Sequence, residues 1–101
     1  MATKRAYLYE VDGFVFVYPA VSVLKTGDKF ELINTTDEDA VWSVPDGAFE
    51  GGAIKNEPIP KKHPSPAKTT RNAPFLVVKY NAHVGAKRAI AHSDPIIIID
   101  P

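Results

Sequence analysis

The chain has 101 residues, no net charge at neutral pH and no cysteine. This length fits one domain with one core, and a hydrophobic fraction of 45% predicts a packed domain rather than disorder. The lack of cysteine excludes disulfides, thiolate metal sites and thiol catalysis. Zero net charge argues against a nucleic-acid-binding protein, which would carry a basic excess.

The distribution of charge and hydropathy gives expectations about location and surface. The first residues are polar and basic, without the apolar core of a signal peptide, and no apolar run approaches the roughly 18 residues of a membrane span. We therefore expect a cytoplasmic protein that does not enter a membrane; the alternative is an exported protein whose leader has been removed. Residues 1–53 carry a net charge of −5 and residues 54–101 a net charge of +5. These charges either pair across the surface or leave one end acidic and the other basic.

The N-terminal segment predicts a β-hairpin. Tyr7, Tyr9 and Val11 alternate with other residues and therefore lie on one face of a strand. Asp12-Gly13 is a two-residue turn of the kind that closes hairpins. The next segment, Phe14–Tyr18, is apolar at every position, so we expect it deep in the sheet.

The rest of the chain is also typical of short strands. Pro19 ends the second strand, and Thr26-Gly27-Asp28 predicts a turn. Further strands are predicted at residues 21–24, 29–34, 40–44, 75–80 and 96–99. No segment shows a helical period. The pattern predicts an all-β protein, a Greek-key sandwich of about seven short strands in one domain over residues 1–101. Its predicted core contains Phe16, Val23, Phe30, Leu32, Val77 and Ile97.

Residues 45–74 are irregular and rich in proline. Since structureless loops of this length are uncommon in a compact domain, we expect one or two short strands here, near residues 53–54 and 67–71. The segment also carries a set of basic residues: Lys61, Lys62, His63, Lys68 and Arg71. This set either binds phosphate or an acidic partner, or belongs to an exposed loop that its charge keeps soluble.

Six positions in the first third of the chain resemble a known family. They form an aromatic-x-Pro step, a Gly-Asp turn and a strand that ends in Asn: Phe16, Tyr18, Pro19, Gly27, Asp28 and Asn34. This pattern resembles the N-terminal half of cupredoxins, the small β-sandwich copper proteins. The resemblance implies a cupredoxin-like sandwich, whose topology is similar to the immunoglobulin fold.

The copper ligands that this resemblance implies are missing. The first histidine of the family follows the Asn by several residues, and residues 35–42 contain no histidine. The other ligands come from one loop before the last strand, here residues 81–95, which has His83 and His92 but neither Cys nor Met. Because a type 1 site needs a thiolate, we expect a copper-free protein without a cofactor.

A different metal site remains an alternative. His83 and His92 lie nine residues apart on one predicted loop, and Asp94 could add a carboxylate for Zn, Cu(II) or Ni. The simpler interpretation is a pair of surface histidines. The acidic run at residues 37–39 lacks the pattern of a calcium loop.

The sequence predicts no catalysis, because none of its serines lies in a nucleophile elbow. The lone tryptophan, Trp42, is either a core residue or part of a binding face, and the same question applies to Tyr7, Tyr9 and Tyr18. We expect a binding, structural or assembly module with an unknown protein partner or with self-association, and not an enzyme. The alternative is a metal-handling protein that uses His83 and His92.

The apolar run Ile96–Ile99 bears on self-association. A strand that is apolar on both faces belongs inside a sheet, so we expect this one to pair centrally within the domain. Any self-association should then use the opposite edge or the face that carries Tyr7 and Tyr9.

Overall fold

The computed structural model describes residues 2–88 and 95–100. Eleven strands form in this part of the chain: β1 Thr3–Val11, β2 Phe14–Tyr18, β3 Val21–Leu24, β4 Lys29–Asn34, β5 Ala40–Val44, β6 Ile54–Ile59, β7 Lys68–Thr69, β8 Leu76–Lys79, β9 Asn81–Val84, β10 Lys87–Arg88 and β11 Ile96–Ile99. The described residues include no helix with the length and hydropathy needed to cross a membrane.

The strands form three hydrogen-bonded sheets, ordered β2-β1-β4-β7, β10-β9-β5-β6 and β3-β11-β8. The β1–β4 and β3–β11 pairs are parallel, and the remaining described pairs are antiparallel. Only Tyr80 separates β8 from β9, so one run of chain joins two of the sheets. The predicted all-β sandwich is confirmed. The structure has more strands than the seven predicted, because the irregular segment contains β6 and β7 and the predicted loop after Tyr80 contains β9 and β10.

Four aromatic rings occupy the centre of the core. The ring of Phe30 lies 6.0 Å from that of Trp42, 6.0 Å from that of Phe49 and 6.2 Å from that of Tyr80, measured between centroids. Each of the four residues is at most 2% exposed. The rings come from both layers of the sandwich, since Phe30 is on β4 and Trp42 is on β5. Packing between these rings therefore holds the layers together.

Three of the six predicted core residues are buried and three are not. Leu32 and Ile97 are fully buried together with Phe30, as predicted. Phe16, Val23 and Val77 are 36%, 50% and 51% exposed, so their assignment to the core is wrong. These three occupy the outward positions of strands whose alternate residues point inward. In β2 every position is apolar, which conceals the alternation, and in β3 a serine, Ser22, takes the inward position beside Val23.

The prediction that Phe14–Tyr18 lies deep in the sheet is also wrong. This segment is β2, which forms the end of its sheet and pairs with β1 through an antiparallel ladder. The predicted turn between the two strands is confirmed. Asp12 and Gly13 have φ values of 50° and 81°, the left-handed values of a type I′ turn, and that turn matches the twist of the flanking strands.

The prediction for the last strand is confirmed. β11 lies between β3 and β8, with Ile97 and Ile99 fully buried and Ile96 and Ile98 partly exposed. The irregular segment contains β6 and β7, close to the positions predicted for its short strands.

Several ion pairs join the acidic and basic halves of the chain. The Nζ atom of Lys62 lies 3.2 Å from a carboxylate oxygen of Asp37. The guanidinium of Arg71 lies 3.3 Å from a carboxylate oxygen of Asp46. All four side chains are well exposed, so each pair contributes at most about 1 kcal/mol. This arrangement agrees with the interpretation that the charges of the two halves pair across the surface.

The phenol of Tyr80 predicts a measurable pH effect. Its hydroxyl is buried with no hydrogen-bond partner among the described residues, and burial raises the pKa of this phenol well above its usual range. Above about pH 10 the unfolded chain releases a proton that the folded chain keeps, so the stability present below pH 10 falls as the pH rises. We expect Tyr80→Phe to raise the free energy of unfolding by about 1 kcal/mol at neutral pH and to reduce its alkaline decline. Urea unfolding of both proteins at pH 7 to 11 measures this, and a clear loss of stability at neutral pH would contradict it.

Candidate interaction face

The residues proposed for a metal site do not form one in the described part of the chain. The segment 81–95 is not a simple loop: it contains β9 and β10, and His83 lies on β9 opposite Val41, partly buried. His92 and Asp94 lie outside the described residues. His63 is exposed, with its Nδ1 atom 2.7 Å from the carbonyl oxygen of Lys61. Within residues 2–88 and 95–100, no three His, Cys, Asp or Glu side chains are grouped to hold a metal ion.

The region where the resemblance places a copper histidine is occupied by an asparagine network. Asn34 is fully buried, and its Nδ2 donates to the carbonyl oxygens of Glu38 at 2.8 Å and Ile59 at 3.1 Å. Its Oδ1 accepts hydrogen bonds from the backbone N–H and the hydroxyl of Thr36 at 2.9 and 2.7 Å. The asparagine therefore fixes the loop between β4 and β5 with its own side chain and without a metal.

Removal of the Asn34 amide should destabilise the fold. We expect Asn34→Ala to lower the free energy of unfolding by about 2–4 kcal/mol, because it leaves buried carbonyl and hydroxyl groups without partners. Asn72→Ala is the matched control, since Asn72 is exposed and should change stability by less than about 0.5 kcal/mol. Chemical denaturation measures both. Equal effects of the two substitutions would show that the network contributes little.

The basic set of the irregular segment is dispersed. Lys62 and Arg71 pair with Asp37 and Asp46, and the Nζ atom of Lys68 lies 2.7 Å from a carboxylate oxygen of Glu57. Each of these cations thus has its own carboxylate and does not converge with the others on a common site. This geometry favours the solvated-loop interpretation over a phosphate site.

Trp42 is a core residue. It is fully buried, and its indole Nε1 donates to the Glu57 carboxylate at 3.0 Å. The same carboxylate pairs with Lys68 of β7, so the contact connects β5 and β6 with the neighbouring sheet. The tryptophan is therefore not part of a binding face.

A surface depression beside the start of β1 has no free carboxylate. It has a volume of about 570 Å³ and lies beside Asp28, Lys4 and Lys25. The backbone N–H groups of Ala2 and Lys25 each donate to Asp28 at 2.9 Å, and these hydrogen bonds hold the pKa of that carboxyl below its usual range. The Lys25 ammonium lies 3.0 Å from Asp100. Because Asp28 and Lys25 are already engaged by the protein, the depression offers few charged groups for a ligand.

The outward surface of the β1–β2 hairpin is the feature that remains. We call it the aromatic face, and its members pair across the two strands as Tyr7 with Tyr18, Tyr9 with Phe16 and Val11 with Phe14. Tyr9, Val11, Phe14, Phe16 and Tyr18 are 39%, 53%, 59%, 36% and 70% exposed. The rings of Tyr7 and Tyr9 lie 6.3 Å apart. The pairing therefore joins these side chains into one continuous exposed surface.

Strand alternation explains why this face forms. The opposite side of the same hairpin carries Ala6, Leu8, Val15 and Val17, all at most 3% exposed. Because the inward positions already supply the apolar residues that folding needs, the large outward residues are not required to complete the core. The sequence alone placed Phe16 in the core, because hydropathy does not give the register between β1 and β2. The type I′ turn at Asp12-Gly13 was the signal that fixes the register and could have revealed the face.

A second apolar surface lies on the outward side of the β3-β11-β8 sheet. We call it the aliphatic face; Val21, Val23, Phe75 and Val77 are its most exposed members. Only Phe75 among these four residues is aromatic, whereas five of the six residues of the aromatic face are aromatic. Since tyrosine and other aromatic residues are enriched at protein interfaces, the aromatic face is the stronger candidate for binding.

Comparison with solved structures confirms the cupredoxin-like fold. A methionine-to-alanine variant of amicyanin with Cu(I) is 13% identical with a TM-score of 0.63, and the match covers 95% of this chain and 80% of that chain. The reduced Cu(I) form at pH 4 of a proline-to-glycine variant of amicyanin is 13% identical with a TM-score of 0.64 and the same coverage. Amicyanin is a cupredoxin. The sequence itself matches no protein-family model and no curated protein.

The fold is therefore similar to that of a copper protein, but the residues of this chain do not fit a type 1 copper site. A type 1 site requires a cysteine thiolate, and this chain has no cysteine and a single methionine, Met1. We expect no intense blue absorption when the protein is loaded with Cu(II). Reversible Cu(II) or Zn(II) binding through His83 and His92 is tested by calorimetry on the double His→Ala variant. Unchanged affinity in that variant would show that the two histidines are not ligands.

Proposed function

We propose that the protein is a non-catalytic, copper-free module with a cupredoxin-like fold that binds another protein through the aromatic face. The observation that carries this proposal is the continuous surface of Tyr7, Tyr9, Phe16 and their cross-strand neighbours, which projects outward from a regular hairpin. A surface of this composition is typical of interaction sites, because exposed apolar area is stabilised by coverage with a partner. The missing thiolate supports a role other than copper-based electron transfer.

The hairpin is a suitable platform for a binding surface. β1 is nine residues long and pairs with both β2 and β4, so the aromatic face has a regular backbone behind it. Side chains that are fixed on a strand lose little entropy on binding, and tyrosine combines apolar area with a hydroxyl for hydrogen bonding. Tyr9 lies near the middle of the face, between Tyr7 and Val11 along β1 and opposite Phe16. We expect it to be an energetic centre of the contact, where truncation typically costs about 2 kcal/mol or more.

The proposal is tested by affinity capture from cells of the native host. Three immobilised proteins are compared: the wild type, Tyr9→Lys on the aromatic face and Val77→Lys on the aliphatic face. Tyr9 and Val77 are both on regular strands and are 39% and 51% exposed, so neither substitution places a charge in the core. Mass spectrometry quantifies the proteins that each variant retains.

We expect one or a few proteins, including any endogenous copy of the chain, to be retained by the wild type and by Val77→Lys and lost with Tyr9→Lys. Circular dichroism verifies that both variants are folded. Equal retention by all three, or loss with Val77→Lys alone, would overturn the assignment of binding to the aromatic face.

A further inference from the structure

The β1–β2 hairpin is open to a partner through its outward face and not along its edge. β10 lies against β2, and Val15 and Val17 of β2 are 1% and 3% exposed, so this edge is covered. A partner strand therefore cannot be added beside β2. Whatever binds the hairpin packs flat on the aromatic face.

Charges of opposite sign lie at the two ends of the aromatic face. At the start of β1, Arg5 pairs with Glu31 at 3.1 Å, and Lys29 lies beside Thr3 on the same side of the sheet. At the other end, Asp12 is exposed in the turn of the hairpin. Within residues 2–88 and 95–100, neither Lys29 nor Asp12 takes part in an ion pair. One end of the face is therefore positive and the other is negative.

We infer that two copies of this chain pack their aromatic faces together, with their strands antiparallel about a two-fold axis. The axis runs parallel to the two sheets and crosses β1 between Tyr7 and Tyr9. Because Thr3 and Asp12 lie at nearly equal distances along β1 from this axis, Lys29 of each copy comes near Asp12 of the other. A parallel arrangement would place Lys29 against Lys29 instead. The charges therefore select the antiparallel arrangement.

The same axis brings the aromatic rings of the two copies together. Across the hairpin, Tyr7 pairs with Tyr18 and Tyr9 pairs with Phe16. Tyr7 therefore lies opposite Tyr9 of the second copy, and Phe16 lies opposite its Tyr18. Two sheets that pack face to face lie about 10 Å apart, with their strands within about 30° of each other, so these rings interdigitate. Aromatic residues in such central positions contribute most of the binding energy of an interface.

The area of the aromatic face predicts that this dimer is weak. Since a full aromatic side chain presents about 150–250 Å², the exposed fractions of the face correspond to about 500 Å² per copy. Two packed faces bury about 1,000 Å², close to the lower limit of about 1,200 Å² for standard specific interfaces. The chain has zero net charge, so two copies approach without long-range repulsion. We expect a dissociation constant in the micromolar range.

This inference rests on the proposed function, because it names a second copy as the partner of the aromatic face. Sedimentation equilibrium from micromolar to millimolar concentration tests it on the wild type, Tyr9→Lys and Val77→Lys. We expect the wild type and Val77→Lys to dimerise as the concentration rises, and Tyr9→Lys to dimerise about thirtyfold more weakly. A wild type that stays monomeric at millimolar concentration would overturn the inference. So would a dimer that Val77→Lys abolishes and Tyr9→Lys leaves intact.

A charge exchange tests the antiparallel arrangement. Lys29→Glu places two acids near each other at both ends of the dimer, and Asp12→Lys places two cations there. We expect each variant alone to dimerise about tenfold more weakly than the wild type. In a mixture of the two, the introduced glutamate faces the introduced lysine and the native Asp12 faces the native Lys29. The mixture should therefore associate about as tightly as the wild type.

Fluorescence-detected sedimentation with one variant labelled measures the mixed dimer, and circular dichroism verifies that both variants are folded. Asp12 has a φ of 50°, which suits lysine poorly. If Asp12→Lys does not fold, Asp12→Asn in the Lys29→Glu background replaces it, since asparagine suits this turn and should relieve most of the repulsion. A mixture that associates no more tightly than either variant alone, or a double variant no tighter than Lys29→Glu, would overturn the antiparallel pairing.

Failure of this inference is distinguishable from failure of the proposed function. If the wild type stays monomeric but Tyr9→Lys still loses a captured protein, the aromatic face binds a different partner and only the self-association is wrong. If the wild type stays monomeric and Tyr9→Lys retains every captured protein, both are wrong.

Discussion

Phe30→Ala should lower the free energy of unfolding by about 3–5 kcal/mol, the loss typical of a fully buried phenylalanine. Phe30 is 0% exposed, and its ring contacts Trp42, Phe49 and Tyr80 at centroid distances close to 6 Å. Truncation leaves a cavity between the layers and removes three aromatic contacts at once. Most domains of about 100 residues are stable by 5–15 kcal/mol, so this variant should be close to unfolding.

Urea denaturation followed by the fluorescence of Trp42 measures the effect. Phe75→Ala is the matched control, because Phe75 is 65% exposed and should change stability by less than about 1 kcal/mol. Similar midpoints for Phe30→Ala and the wild type would show that the aromatic cluster is not the centre of the core.

Ile97→Asp should prevent the monomer from folding. Ile97 is 0% exposed and lies on β11, between Ser22 of β3 and Val78 of β8. A carboxylate placed there has no cationic partner, and burial of such an unpaired charge costs several kcal/mol. The far-ultraviolet circular dichroism of this variant should be that of an unfolded chain at 25 °C.

Ile98→Asp provides a control on the same strand. Ile98 is partly exposed and faces outward beside Val23 and Val77, so its substitution should leave the protein folded with a smaller loss of stability. If Ile97→Asp instead yields a folded, smaller species by light scattering, β11 is an interface and its central position in the domain is wrong.

The fold was largely predictable because turns and apolar runs are local features. Asp12-Gly13 gave the first hairpin, the Ile96–Ile99 run gave a central strand, and the aromatic-x-Pro and Gly-Asp steps indicated the cupredoxin-like sandwich. These features depend on backbone preferences that a sequence displays directly.

The position of β2 was not predictable in the same way. A segment that is apolar at every position is typical of a buried strand, and Phe14–Tyr18 satisfies that pattern at the edge of a sheet. Hydropathy alone cannot distinguish a residue that faces the core from one that faces a partner. The register of the β1–β2 ladder makes the distinction, because it places Val15 and Val17 inside and leaves Phe16 outside.

The same limitation explains why the sequence suggested histidines before it suggested a surface. His83 and His92 are recognisable by residue type, whereas an aromatic face exists only once two strands are aligned. The structure places His83 on β9 and leaves His92 outside the described residues, so the paired-histidine hypothesis gains no geometric support.

The buried Asn34 network stabilises the start of the loop between β4 and β5. In this chain the loop that begins at Thr35 is held by side-chain hydrogen bonds to Glu38 and Ile59. The chain has no cysteine for a type 1 copper site, and binding through the aromatic face is the role that we propose instead.

Photo-cross-linking in cells of the native host tests the central claim most directly. A photoreactive amino acid replaces Tyr9 on the aromatic face in one variant and Val77 on the aliphatic face in another, and covalent protein adducts are identified by mass spectrometry after irradiation. We predict a discrete adduct from position 9, either with a second copy or with another protein, and none from position 77. Adducts from position 77 alone, or none from position 9, would contradict the assignment of the aromatic face as the binding surface.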